Sequence, residues 1–242
     1  MTDHPVVSAE VDGALRAVST ATLTSQLLRR GIRNSFLAGV RPLRPDLRMV
    51  GRAVTLRYVP MREDIGTGAV FDNSTNPQRI AVESVGPGDV LVIDARGDTR
   101  AGSLGNILAT RILRRGAAGI VTDGAFRDTP GFIELNLPTY AAAAHAATSA
   151  TIHHPVDVGL PIGCAGVLVL PGDILVGDAE GVVVIPTAMA EAVAVDALEQ
   201  ERLEAYLLRL VDGGAGVAGI YPPNERTLEA YRAEQPPFST ER

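Results

Sequence analysis

The sequence predicts an α/β domain. Short apolar runs bounded by turn formers recur along the chain and read as strands, while intervening segments space their apolar residues as helices do. With no Trp and only 4% aromatic residues among 46% hydrophobic ones, the core has to be built from Val, Leu, Ile and Ala. At 242 residues the chain is long enough for one substantial core and short for two. We expect one domain over residues 1–212, and a C-terminal arm or tail over 213–242, where Gly, Pro and charge accumulate.

The elements follow in order. From Ser8 to Gly31, Val11, Leu15, Val18, Leu23, Leu27 and Leu28 fall at helical spacing, interrupted by Ser-Thr-Ala-Thr at 19–22, which predicts two helices. MVGRAVTLRYV, 49–59, alternates as a strand, and Asp72-Asn73-Ser74 reads as a turn. GPGDVLVIDARGD, 86–98, is a turn, a buried strand and a second turn. Helical spacing returns from Leu104 to Leu113, with Arg114, Arg115 and Gly116 as a basic last turn and stop. Ala117–Thr122 is another buried strand, leading into TDGAFRDTPG, 122–131, which reads as a turn. LPGDILVGDAEGVVVIP, 170–186, repeats the Pro-Gly-Asp and Asp-Ala pattern of 86–98, so both segments are expected to open β-hairpins, with Asp89 and Asp173 as turn residues. After Pro186, apolar residues from Met189 through Val193, Leu198 and Tyr206 to Leu210 mark a long amphipathic helix.

Composition excludes several function classes. A net charge of −6 and a pI near 5.3 argue against nucleic-acid binding by phosphate neutralisation. Arg29, Arg30, Arg33, Arg41, Arg44 and Arg48 form a local basic zone, but apolar residues alternate with them, as on a solvated helix end or a subunit contact. Cys164 is the sole cysteine, which excludes an intramolecular disulfide and a cysteine zinc site. Residues 1–20 lack the pattern of a signal peptide, and no window holds 18 uninterrupted apolar residues, so a cytoplasmic protein without membrane contact is expected.

Chemistry concentrates between Gly97 and Asp128. A Gly-rich turn leads into a helix whose first free N–H groups lie near Gly105, Asn106, Ile107 and Leu108, and a helix start of this kind can receive a carboxylate. The following strand delivers Arg127, which can clamp the same anion through two parallel hydrogen bonds, and Asp128, a hard oxygen ligand suited to Mg²⁺ or Mn²⁺. Together they would bind a metal-chelating 2-oxo acid. Taken alone, an Arg-Asp dipeptide is more often a surface ion pair.

Gly51-Arg-Ala-Val-Thr, Asp72-Asn73, Pro87-Gly-Asp-Val-Leu-Val-Ile-Asp, Gly105-Asn-Ile-Leu-Ala-Thr, Asp123-Gly-Ala-Phe-Arg-Asp128, Pro161-Ile-Gly-Cys-Ala-Gly and the 171–186 segment together resemble, in order, one known family. It contains the regulator of ribonuclease E activity and the class II 4-hydroxy-4-methyl-2-oxoglutarate/4-carboxy-4-hydroxy-2-oxoadipate (pyruvate) aldolases. The resemblance implies a β/β/α swivelling-type domain, a homo-oligomer (trimer or hexamer) with sites at subunit interfaces, and a small 2-oxo acid substrate. It also implies that Arg127 binds the pyruvyl carboxylate, that Asp128 holds the metal, and that the Ile107 and Leu108 amides seat the substrate. The family's acidic residue, 21 positions before its Arg, is here Asn106. An amide is no general base at neutral pH, so this departure weakens retro-aldol cleavage. It leaves untouched the decarboxylation of an oxaloacetate-like acid, which needs an electron sink and no proton removal from a hydroxyl.

Replacement groups are His145, His153 and His154 in a stretch read as loop or packed surface, Glu63 and Asp64, Asp98 after a strand end, and Glu180, which could reach a neighbour's site. The first hypothesis is therefore a metal-dependent lyase of the aldolase or decarboxylase type. The second is a non-catalytic, protein-binding regulator resembling the ribonuclease E inhibitors.

Overall fold

The computed structural model describes residues 7–66 and 72–234; residues 235–242 of the expected arm lie outside them. Two helices open the chain, α1 (Ala9–Ala17) and α2 (Thr20–Arg29). Ser8 and Ser19 cap them by accepting from the N–H groups of Val11 and Thr22. The Ser-Thr interruption is thus a helix boundary. After β1 (Arg41–Pro42) comes β2 (Met49–Pro60), then the short α3 (Glu63–Gly66), α4 (Pro77–Ser84), β3 (Asp89–Asp94), β4 (Gly102–Leu104), α5 (Asn106–Arg114), β5 (Gly119–Phe126), α6 (Thr129–Ile133) and β6 (Thr139–Ala144). The second half holds β7 (His153–Val158), β8 (Ile162–Cys164), β9 (Val167–Val169), β10 (Ile174–Gly177), β11 (Val182–Ile185), α7 (Ala190–Asp212) and α8 (Glu225–Glu234).

Among the described residues one mixed, near-closed sheet runs in the order β1-β6-β5-β3-β2-β10-β11, with β4 added to β5 and β7 to β2. Its centre is parallel: β2, β3, β5 and β6 point the same way. Helices α4, α5 and α6 cover one face around Leu91, Ile93, Ile112, Phe126 and Phe132. The β8–β9 ribbon closes the inner face over Val90, Val92, Val121 and Tyr140. A third layer packs α1, α2 and α7 on Val50, Ile174, Val183 and Ile185. α8 turns back onto α7, where Tyr231 meets Tyr206 and Leu207.

Three expectations change. The 86–98 segment does not open a hairpin, since β3 pairs in parallel with β2 and β5; only the 170–186 segment does, as β10 and β11. Both Pro-Gly-Asp turns nonetheless behave alike. Gly88 and Gly172 take positive φ after Pro, and the Asp89 and Asp173 carboxylates accept from the N–H of Gly86 and Leu170. The strand begun at 117–122 continues to Phe126, so half of TDGAFRDTPG is buried strand rather than turn. The stretch AAAAHAATSATIHHP, 141–155, is loop only in its middle, which holds His145; its ends belong to β6 and β7, and the latter carries His153 and His154.

Gly51 lets β2 lie close to the Gly88 turn: an added Cβ would meet Gly88 O at 2.7 Å and Ala118 Cβ at 2.9 Å. We expect Gly51→Ala to lower stability by about 1–3 kcal/mol through overpacking, read as a lower urea midpoint at unchanged slope. An unchanged midpoint would show that this contact relaxes without cost.

Candidate functional site

The site is built by one short strand. β4 lies parallel to the end of β5, pairing Gly102 with Ala125 and Leu104 with Phe126, and Arg127 N–H donates to Leu104 O at 3.0 Å. Only glycine fits at 102, because a Cβ there would stand 2.6 Å from Arg127 Cβ and 2.8 Å from its backbone nitrogen. This close approach sets Arg127 beside the start of α5. Gly105 occupies the N-cap and offers no side-chain acceptor, so the N–H groups of Asn106, Ile107 and Leu108 have no acceptor among the described residues. Ala109 is the first to bond back, to Gly105 O at 3.1 Å.

Asp128 sits over that helix start. A Cβ on Gly105 would lie 3.0 Å from Asp128 Oδ2. Asp128 adopts the left-handed region at φ 61°, a conformation that costs a non-glycine residue about 1 kcal/mol or more and turns the chain into α6. Arg127 and Asp128 are half-exposed and only loosely paired, Nε to Oδ1 at 3.5 Å. Asn106 packs against Gly131, where an added Cβ would stand 2.6 Å from Nδ2. The structure therefore brings Gly105, Asn106, Arg127 and Asp128 together. Ile107 points its side chain outward, 82% exposed, and Leu108 packs its own against the core, so both face the site through their backbone.

Behind these residues lies a buried polar network that no sequence pattern singled out. Ser103 O accepts from Tyr58 OH at 2.9 Å and from Gln78 Nε2 at 2.8 Å, and Gln78 Nε2 also reaches Tyr58 OH at 2.7 Å. Burial pushes the Tyr58 phenol up, so it stays a neutral donor. Asp123 is likewise not part of the open site. Buried inside β5, it accepts from the backbone N–H of Ala95 at 2.7 Å, Gly97 at 3.0 Å and Ala165 at 3.2 Å, tying together two loops.

An RraA-like family model, described as Aldolase/RraA, matches residues 20–184. The chain belongs to the RraA-like family. A Halalkalibacterium halodurans protein provisionally named a 4-hydroxy-4-methyl-2-oxoglutarate aldolase is 32% identical over 187 residues, covering 76% of this chain and 81% of its own length. A 4-hydroxy-4-methyl-2-oxoglutarate aldolase of Thermus thermophilus is 34% identical over 139 residues, covering 57% of this chain and 76% of its own. The solved structure of Streptomyces coelicolor RraAS2, described as an unusual member of the RNase ES inhibitor RraA protein family, superposes with a TM-score of 0.74 at 34% identity. It covers 84% of this chain and 97% of that one.

The replacement groups considered for this RraA-like chain fall elsewhere or are engaged. His153 is buried, with Nε2 3.3 Å from Ala101 O and Nδ1 3.3 Å from Arg96, and burial lowers its pKa. His154 belongs to β7 beside it, pairing with Val59. His145 follows β6 beside Phe126, and its Nδ1 accepts from Ala147 N–H. Asp98 is clamped by Arg100, which drives its pKa far down and leaves no base near neutrality. Asp64 pairs with Arg62, and Glu63 shares its short helix α3. Glu180 lies in the β10–β11 turn, at the end of the sheet where β2 begins, opposite Arg127.

Among the described residues, no group of three or more His, Cys, Asp or Glu side chains gathers to hold a metal. One exposed carboxylate beside an open helix start nevertheless suits Mg²⁺ or Mn²⁺, which keep several waters and take the rest of their ligands from substrate. Among the described residues no helix is long and apolar enough to cross a membrane.

Asp123→Asn would turn an amide NH₂ towards one of three buried N–H donors. We expect a loss of about 1–3 kcal/mol in chemical denaturation. Burial raises the Asp123 pKa, so its proton binds more tightly in the native state. That contribution is full below the unfolded carboxylate value and is lost as pH rises through the native value. The stability gap between wild type and variant should therefore be widest at acid pH.

Proposed function

We propose that this protein is a divalent-metal-dependent lyase acting on small 2-oxo acids. The observation that carries the reading is the convergence of Arg127 and Asp128 on three N–H groups at the start of α5 that have no acceptor among the described residues. The names of the two aldolase relatives support it. Arg127 would bind the substrate carboxylate through two parallel hydrogen bonds, and the N–H groups of Ile107 and Leu108 would fix its orientation. Asp128 would hold Mg²⁺ or Mn²⁺, whose Lewis acidity polarises the 2-oxo group.

Asn106 decides between outcomes. Cleaving a 4-hydroxy-2-oxo acid requires removal of the hydroxyl proton, and an amide at this position orients water without taking the proton. Loss of CO₂ from an oxaloacetate-like acid requires only that the electrons of the breaking carbon–carbon bond pass towards the 2-oxo oxygen. Decarboxylation is the favoured reaction and aldol cleavage the slower one. Exposed Ile107 and Ile133 beside the site suit burial in a homo-oligomer, a trimer or hexamer. A cytoplasmic location fits this metabolic role.

RraAS2 keeps a second reading alive, a regulator that binds protein and needs no metal. The two separate by activity. We expect CO₂ release from oxaloacetate above the enzyme-free metal blank, abolished by chelator, and reduced about 100-fold in kcat/KM by Arg127→Ala. Asn106→Asp should raise pyruvate release from 4-hydroxy-4-methyl-2-oxoglutarate about ten-fold or more. No turnover in any form, with no metal-induced rise in Tm, would select the regulator.

A further inference from the structure

We propose that Arg79 is a specificity-determining residue that receives a further carboxylate of the substrate, remote from its 2-oxo acid end and distinct from any carboxylate lost as CO₂. The inference rests on the 2-oxo acid reading above. Arg79 lies in the first turn of α4 and is half-buried, yet among the described residues it reaches no carboxylate. Arg52 and Arg115, at comparable depth, do pair, with Asp89 and Glu83, whereas Arg48, which also lacks a carboxylate among the described residues, lies against Leu15 O, away from the start of α4. Arg79 is held instead by two neutral amides, with Nε donating to Asn73 Oδ1 and Nη1 to Gln78 Oε1, both at 3.2 Å. Its Nη2 donors have no partner among the described residues. A partly desolvated cation with free donors is an anion receptor waiting for its charge.

The receptor is preorganised by the buried network. Gln78 is buried and gives its Nε2 to both Ser103 O and Tyr58 OH, so its Oε1 has to face Arg79. That orientation fixes the guanidinium from behind.

The receptor also stands at the right end of the molecule. Gln78, at the start of α4, touches Ser103, which lies just ahead of α5, and Glu83, near the end of α4, pairs with Arg111 further along α5 at 2.8 Å. The two helices therefore run side by side in the same direction, with both starts at the end of the sheet that carries Asn106 and Arg127. Packed helices stand about 8–10 Å apart, and the Arg79 side chain takes up part of that span. The gap suits a short-chain diacid whose 2-oxo acid end is held by Arg127.

The test compares 2-oxoglutarate with 2-oxopentanoate, which share the 2-oxo acid end and chain length and differ by the distal carboxylate. Calorimetric titration in Mg²⁺ or Mn²⁺ should show wild type binding 2-oxoglutarate about ten-fold or more tighter. Arg79→Gln should erase that preference and leave 2-oxopentanoate affinity within about two-fold, while Arg79→Lys keeps part of it. Unchanged Tm values would show that both variants fold. Persistence of the preference in Arg79→Gln, or its absence in wild type, would overturn the assignment alone. If neither ligand binds, the 2-oxo acid reading falls and the assignment falls with it.

Discussion

The parallel pairing of β4 with the last residues of β5 is the constraint on which the candidate site depends. Three residues of strand decide where α5 begins. Because Gly102 lets the two backbones approach and Leu104 O accepts from Arg127 N–H, the first turn of α5 is locked next to Arg127 and Asp128. Shift that register by one residue and the β4 side chains would change faces and the Arg127 N–H would lose Leu104 O as its acceptor. The sheet beneath, with β3 and β5 buried on both faces, supplies the rigidity that the loops above it need.

The same end of the molecule carries unfavourable terms that the rest has to offset. Among the described residues, three helix N–H groups lack acceptors and half-buried Arg79 has no counter-charge, and Asp128 holds a left-handed backbone. None of these helps folding, and under the proposed function a bound carboxylate and metal would offset them. The supports are buried and satisfied: Asp123 with its three backbone donors, and Tyr58, Gln78 and Ser103 bonded to one another. Strain in front and full hydrogen bonding behind is the pattern of a site held ready for a ligand.

Much of this architecture was legible in the sequence. Helical spacing broken at Ser19 marked the two opening helices, alternation marked β2, apolar runs marked β3 and the start of β5, and the spacing after Pro186 marked α7. Arg127, Asp128, Asn106 and the helix-start amides stood out within one stretch of chain. What escaped was non-local. β4 has three residues, too few for a period, and its strand character comes from pairing with β5. Asp123 looks like a turn residue until the loops at 95–97 and 165 fold onto it. α4 did carry a signal, Asn76 as N-cap and Pro77 at the first helical position, and reading it would have placed Gln78 and Arg79 near the site.

In the proposed function one opening, formed by α5 and the Arg127–Asp128 turn, binds the 2-oxo acid end of a substrate together with a metal. The most direct measurement is a crystal structure with Mn²⁺ and oxalate, a planar mimic of that end, locating the metal by its anomalous signal. Mn²⁺ is expected at the Asp128 carboxylate, with one oxalate carboxylate on the Arg127 guanidinium and the Ile107 and Leu108 N–H groups. Manganese bound elsewhere, or oxalate absent from this opening at saturating concentration, would contradict it.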